Sequence, residues 1–202
     1  MARPIDPERH RLRRLQIVDA ALTCFAERGY AGTSTAAICR HAGIGSGTLF
    51  HYFPTKASIL VAILEVGTQE TRDTFESLRA LDDPRAALLQ WAQDTAEELA
   101  DPRVAGFVRA VGAVMEEAEI AAALEADAIA THAGLLELAE RAADQGRIRG
   151  DVSADRLARW LALLMDGFVG AIATSPEFDP LTEAPLLRET VLGLLRGGPE
   201  LR

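Results

Sequence analysis

Lysine is nearly missing from this chain. Of its 21 basic residues only Lys56 is a lysine; the rest are arginine. Cysteine is scarce as well. Cys24 and Cys39 are too few for a disulfide framework, which points to a reducing compartment and a cytoplasmic location. Aromatic residues make up 5% of the chain and period-two alternation is rare, so an all-β fold is disfavoured. Long uncharged apolar runs are missing too. The most apolar neighbourhood, Leu157 to Ala173, contains Arg159 and Asp166. A spanning helix takes about 20 mostly uncharged residues, so no membrane partner is expected. The opening MARPIDPERHRLRR carries charge without an apolar stretch, and no secretory signal is expected.

What remains is a chain of 202 residues, 49% hydrophobic and 25% charged, enough for one or two domains with a real core. Its net charge of −9 argues, as an average, against a nucleic-acid partner. The average hides a split. Residues 1–60 hold eight basic and four acidic groups, a net +4; the other 142 hold 13 and 26, a net −13. A basic quarter on an acidic remainder is a two-function pattern, unless the arginines simply cluster on a solvated helix.

Periodicity and punctuation predict an all-α fold of about nine helices. Residues 1–8 read as a loose tail. Leu15, Val18, Leu22 and Phe25 make one stripe from Arg9 to Arg28, closed by Gly29 as a left-handed cap. Ser34 can cap a short helix that Gly43 stops. A second short helix runs from Ser46 to Phe53, before Pro54. Thr55 starts a fourth helix reaching about Leu78. Pro84, Val104, Glu119, Ser153 and Leu181 open five more, the one from Val104 running to Met115. The expected division is a helix-turn-helix head over 9–54, a connecting helix over 55–80, and a helical ligand-binding and dimerisation domain over 81–202.

Two short helices joined by a glycine-containing turn suit duplex DNA. One helix fits the major groove and its N-terminal residues touch base edges. Gly45, Ser46 and Gly47 are small enough for close approach. Thr48 can meet a phosphate or a thymine methyl, and His51 and Tyr52 offer donors and flat surface. Lys56 opens the next helix, where a positive charge suits a phosphate. Arg9, Arg11, Arg13 and Arg14 are either an arm on flanking phosphates or a solvated first turn; the cationic head favours phosphate contact.

The run from Gly29 to Leu60 strongly resembles the TetR family of bacterial transcriptional regulators. The resemblance is carried by Gly29-Tyr30, Thr33-Ser34, Ile38, Ala42-Gly43, Gly47-Thr48-Leu49, Tyr52-Phe53 and Lys56, and extends over about residues 9–65. Thr33 and Ser34, which match the pattern, and Thr35 beside them complete the expected DNA-contacting set. Cys39, Gly45 and Phe50 depart from the pattern; Phe50 stands where Tyr is common and removes a phosphate-contacting hydroxyl. The resemblance implies a homodimer on double-stranded operator DNA, a repressor released by a small-molecule effector.

For the C-terminal half, Leu157, Leu161, Leu164, Gly167 and Gly170, with Leu187, Val191, Leu194 and Leu195, are expected to build a four-helix dimer interface, if they are not simply buried within the chain. An apolar or aromatic effector would draw on Trp91, Phe107, Val111, Met115, Trp160, Met165 and Phe168, with Thr131 and His132 as polar partners; plain core is the competing reading. Asp94 and Asp166 are either pocket anchors or surface groups. Cys24 and Cys39 read as small core residues rather than redox sensors. His41, His51 and His132 show no metal-ligand spacing, and no phosphate loop or nucleophile elbow occurs, so neither metal nor cofactor nor enzyme is expected. The competing functions are a helical ligand-binding or interaction module without sequence-specific DNA readout, and a small helical enzyme with paired carboxylates or histidines in a cavity.

Overall fold

The computed structural model describes residues 7–196, and among these every regular element is an α-helix. They are α1 (Pro7–Gly32), α2 (Thr35–Ala42), α3 (Ser46–Tyr52), α4 (Lys56–Arg79), α5 (Pro84–Glu98), α6 (Val104–Gly112), α7 (Ala118–Asp144), α8 (Ala154–Thr174) and α9 (Pro180–Arg196). The all-α expectation holds. The helix begins at Pro7, two residues before the expected start; the rest of the expected tail lies outside the described residues. Two compact units form. One takes in the described residues up to Val66 with Ala105–Leu124; the other takes Gly67–Val104 with the described residues from Glu125 on.

In the first unit, α1 buries Ile17, Val18, Ala21, Cys24 and Phe25, so Val18 and Phe25 of the expected stripe are core while Leu15 and Leu22 are half-buried at its edge. Gly29 takes φ 70 and ψ 169, which is a kink rather than a left-handed cap; helix is assigned on to Gly32. The Ser34 hydroxyl accepts from the Ala37 N–H at 3.2 Å and starts α2, a cap whose loss costs about 0.5–2 kcal/mol. Gly43, at φ 64 and ψ 35, ends α2 in the left-handed region. Across the unit, Gln16 donates to the Ala42 carbonyl at 2.8 Å, and the Arg14 guanidinium lies 5.4 Å from the Phe53 ring centre. Ile38, Leu49, Phe53, Ile59 and Leu60 complete the core with α1.

Unexpectedly, α6 belongs to this unit. A Cβ at Gly106 would overlap the backbone carbonyl of Ala26, so only glycine lets α6 lie on α1. Ala110, Val111 and Ile120 close the same core. α6 stops at Gly112 rather than Met115, where glycine weakens the helix by about 1 kcal/mol relative to alanine.

In the second unit, Asp83 caps α5 through the Arg85 and Ala86 N–H groups, with Pro84 in the first turn as expected. Phe75 and Trp91 stack at 6.3 Å between ring centres. A Cβ at Gly134 would run into the Phe75 ring, so α7 needs glycine where it crosses α4. Leu88, Leu135, Leu138, Leu161 and Leu195 fill the rest of this core.

The expectation of no possible span is corrected at α8. With 21 residues it is long and apolar enough to cross a membrane by length and composition. Its core stripe of Leu157, Leu161, Met165, Phe168 and Ile172 nonetheless packs inside the unit, and Asp155, Arg156, Arg159 and Asp166 punctuate its other sides.

Candidate nucleic-acid interface and a second apolar face

The outward side of α3 follows from its helical step. Leu49 is fully buried and Phe53 nearly so, which leaves Gly47 and His51 on the opposite side, with Thr48 and Phe50 on the two flanks and Ser46 at the helix start. All five are exposed, as is Gly45 ahead of them. Tyr52 is half-buried. Its ring lies 4.5 Å from the His10 ring and 5.4 Å from the His51 ring, tying the first turn of α1 to the end of α3.

Three members of the expected DNA-contacting set have inward tasks. Thr33 is 2% exposed, and its hydroxyl lies 2.8 Å from both the Cys24 and Gly29 carbonyls. It satisfies the kink in α1 and is withdrawn from the surface. Lys56 donates to the Tyr30 carbonyl at 2.7 Å and to the Thr33 carbonyl at 3.0 Å, with its ammonium 4.1 Å from the Tyr30 ring centre. The expected phosphate ligand is therefore first a clamp on the α1–α2 turn. Thr35 is half-buried in the first turn of α2. Ser34 stays exposed, with its oxygen used as the α2 cap. Among the N-terminal arginines, Arg11 pairs with Glu8 at 2.8 Å, Arg13 bonds Gln16 at 2.9 Å and Arg14 pairs with Glu65 at 3.1 Å.

The expected effector set does not converge. Trp91 is core in the second unit. Val111 is buried in the core of the first, with Phe107 packed against it, and Met115 is exposed beyond α6. Thr131 and His132 are half-buried on α7. His132 lies 3.1 Å from an Asp155 oxygen; a hydrogen bond from Arg159, and then His132, hold that carboxyl below its usual range. Met165 and Phe168 are buried, while Trp160 is 49% exposed.

What the second unit does present is an apolar groove of about 490 Å³ on α8 and α9. Trp160, Leu163, Leu164, Gly167, Phe168 and Ala171 line it from α8, Thr190 and Leu194 from α9, and Phe178 from the loop between them. Of the expected dimer face, Leu164, Gly167 and Leu194 are here. Leu157, Leu161, Leu187, Val191 and Leu195 point the other way, into the chain's own core, and Gly170 is half-buried with open space beside it. The available face is thus a second stripe on α8, one residue round from the one expected.

Residues 17–63 match the family model described as bacterial regulatory proteins, tetR family. Residues 17–63 form a TetR-family N-terminal domain. It is 29% identical over 186 residues to the HTH-type transcriptional repressor AcnR of Corynebacterium efficiens, covering 88% of this chain and 90% of that one. It is 26% identical over 198 residues to the HTH-type transcriptional regulator TtgR of Pseudomonas putida, covering 94% of each. The fatty acid degradation regulator FadR of Bacillus halodurans has the same fold, with a TM-score of 0.80 at 21% identity, covering 92% of this chain and 97% of that one.

The TetR-type residues run from the middle of α1 into α4 and enclose α2, α3, Thr33 and Lys56. The matched domain and the relatives are those of transcriptional regulators, which are not enzymes. Phe50, outside the expected DNA-contacting set, is also exposed on α3, where it follows Leu49, a core residue, by one step of about 100°.

Proposed function

We propose that this chain is a TetR-family regulator, homodimeric and operator-binding, a repressor that a small apolar or aromatic effector releases from DNA. The observation that carries the reading is the outward side of α3. Ser46, Gly47, Thr48 and His51 stand exposed together there, on a head of net positive charge. A helix so presented fits the major groove. The AcnR relatives are named repressors, which supports repression over activation.

The homodimer is supported by the groove on α8 and α9. Trp160, Leu163 and Leu186 are about half exposed or more in the single chain, a large apolar exposure for one face. Two helices from each of two copies bury such faces as a four-helix bundle. Effector binding in the second unit lowers operator affinity, and a coupling of about 1–3 kcal/mol gives a 5–150-fold response. A chromosomal operator places this work in the cytoplasm.

The test is fluorescence anisotropy of labelled duplex across a salt series. The reading expects affinity to fall steeply and linearly in the logarithm of salt. Binding that ignores salt, or no binding, favours a helical ligand-binding module with no DNA readout.

A further inference from the structure

We infer that Phe50 is a base-reading residue that selects thymine, by packing its ring on the C5-methyl group in the major groove. The inference rests on the operator-binding reading and names the base chemistry that reading leaves open.

Phe50 is 51% exposed, among the largest apolar exposures of the first unit. A lone exposed apolar side chain on a protein surface is ordinary. Its place is what gives this one meaning. It stands on α3 one turn after Ser46 and beside His51, on the flank of the helix between the buried Leu49 and Phe53 and the exposed Gly47 and His51. It is absent from the apolar cluster that takes in Leu49, Tyr52 and Phe53, and it lies outside the ring group of His10, His51 and Tyr52. About half of this residue's surface is left to solvent.

The glycines beside it point outward too. Gly45 has φ −80 and ψ 157, an extended conformation open to any residue, and Gly47 is an ordinary helical position. A Cβ at either would meet nothing of the chain within 4 Å. A glycine inside a helix costs about 1 kcal/mol relative to alanine. Gly45 is the N-cap of α3, a place glycine favours in its own right, but Gly47 lies inside the helix and omits a side chain beside the bulky ring, and nothing inside the unit accounts for that omission. A surface approaching from outside does: bare backbone at Gly45 and Gly47 brings α3 close, and the ring then reaches whatever lies beside it.

In the major groove, base edges offer hydrogen-bond donors, acceptors and one apolar group, the thymine methyl. A phenyl ring neither donates nor accepts a conventional hydrogen bond. Against adenine, guanine or cytosine edges it would strip water from polar groups without replacing it. Against thymine it buries a methyl.

The experiment starts from duplexes enriched from a random pool by the full chain. Each thymine of the enriched site is replaced in turn by deoxyuridine, which removes the methyl alone. At one thymine per half-site the native chain is expected to lose about fourfold in affinity, and roughly sixteenfold when both half-sites are altered, as burial of one methyl each implies. F50A should bind the thymine and deoxyuridine duplexes equally, keep the native salt slope, and unfold at the native temperature because the ring is not part of the core. Equal binding of both duplexes by the native chain overturns the inference, as does the same deoxyuridine loss in F50A. Absence of salt-dependent duplex binding overturns the operator-binding reading itself, a result distinguishable from the other two.

Discussion

Lys56 and Tyr30 form one joint of the head. The lysine ammonium donates to the tyrosine carbonyl at 2.7 Å and lies 4.1 Å from the centre of the same residue's ring. With the second bond to Thr33, the only lysine of the chain holds the turn between α1 and α2. Lys56→Ala removes the donor from two carbonyls in a part-buried joint, a cost of about 1–3 kcal/mol. The urea midpoint should fall accordingly. The salt slope of DNA binding should flatten by less than one unit. An unchanged midpoint with a slope flattened by a full unit would assign the ammonium to phosphate instead.

Gly47 sets stability against function. Gly47→Ala adds a methyl in open space and removes the backbone-entropy cost of glycine in a helix. The variant should be more stable by up to about 1 kcal/mol and bind the operator more weakly. Gains in both would show that α3 does not lie close against the groove at this residue.

Leu163→Arg places a charge on the exposed apolar stripe of α8, away from the core stripe. Sedimentation should show a monomer in place of a dimer, with an unchanged helical spectrum. Operator affinity should then collapse towards that of one head, because two linked contacts become one. A variant that stays dimeric would move the interface elsewhere.

Asp166 is held above the ordinary carboxylate range, first by partial desolvation and then by the Asp127 carboxylate. A raised folded-state pKa contributes stability that is present below the unfolded value and lost as pH rises through the folded one. Asp166→Asn should therefore unfold at a higher temperature than the native chain at pH 7. The difference should shrink as the pH falls towards 4. A constant difference across that range would assign the gain to packing.

The parts of this fold readable from sequence are those set by local backbone chemistry. Ser34 and Gly43 bracket α2, and Asp83 with Pro84 opens α5, because a cap or a stop needs only its own few residues. Thr33 was misread because its partners, the Cys24 and Gly29 carbonyls, become available only when the chain kinks at Gly29. The clamp made by Lys56 was not legible because its acceptors lie 23 and 26 residues back. On α8, two apolar stripes one residue apart satisfy the same period, and only packing shows that Leu161 faces inward and Trp160 outward. Phe107 and Val111 sit on a helix whose unit is decided by the contact of Gly106 with Ala26, which no periodicity reveals.

The central claim is that two copies of α3 read DNA together, and the direct measurement is selection of duplexes from a random pool by the full-length chain. The account predicts an enriched inverted repeat whose half-site centres lie about one helical turn apart, roughly 34–36 Å, or a multiple of it. A pool that remains unenriched while still binding in low salt would contradict it.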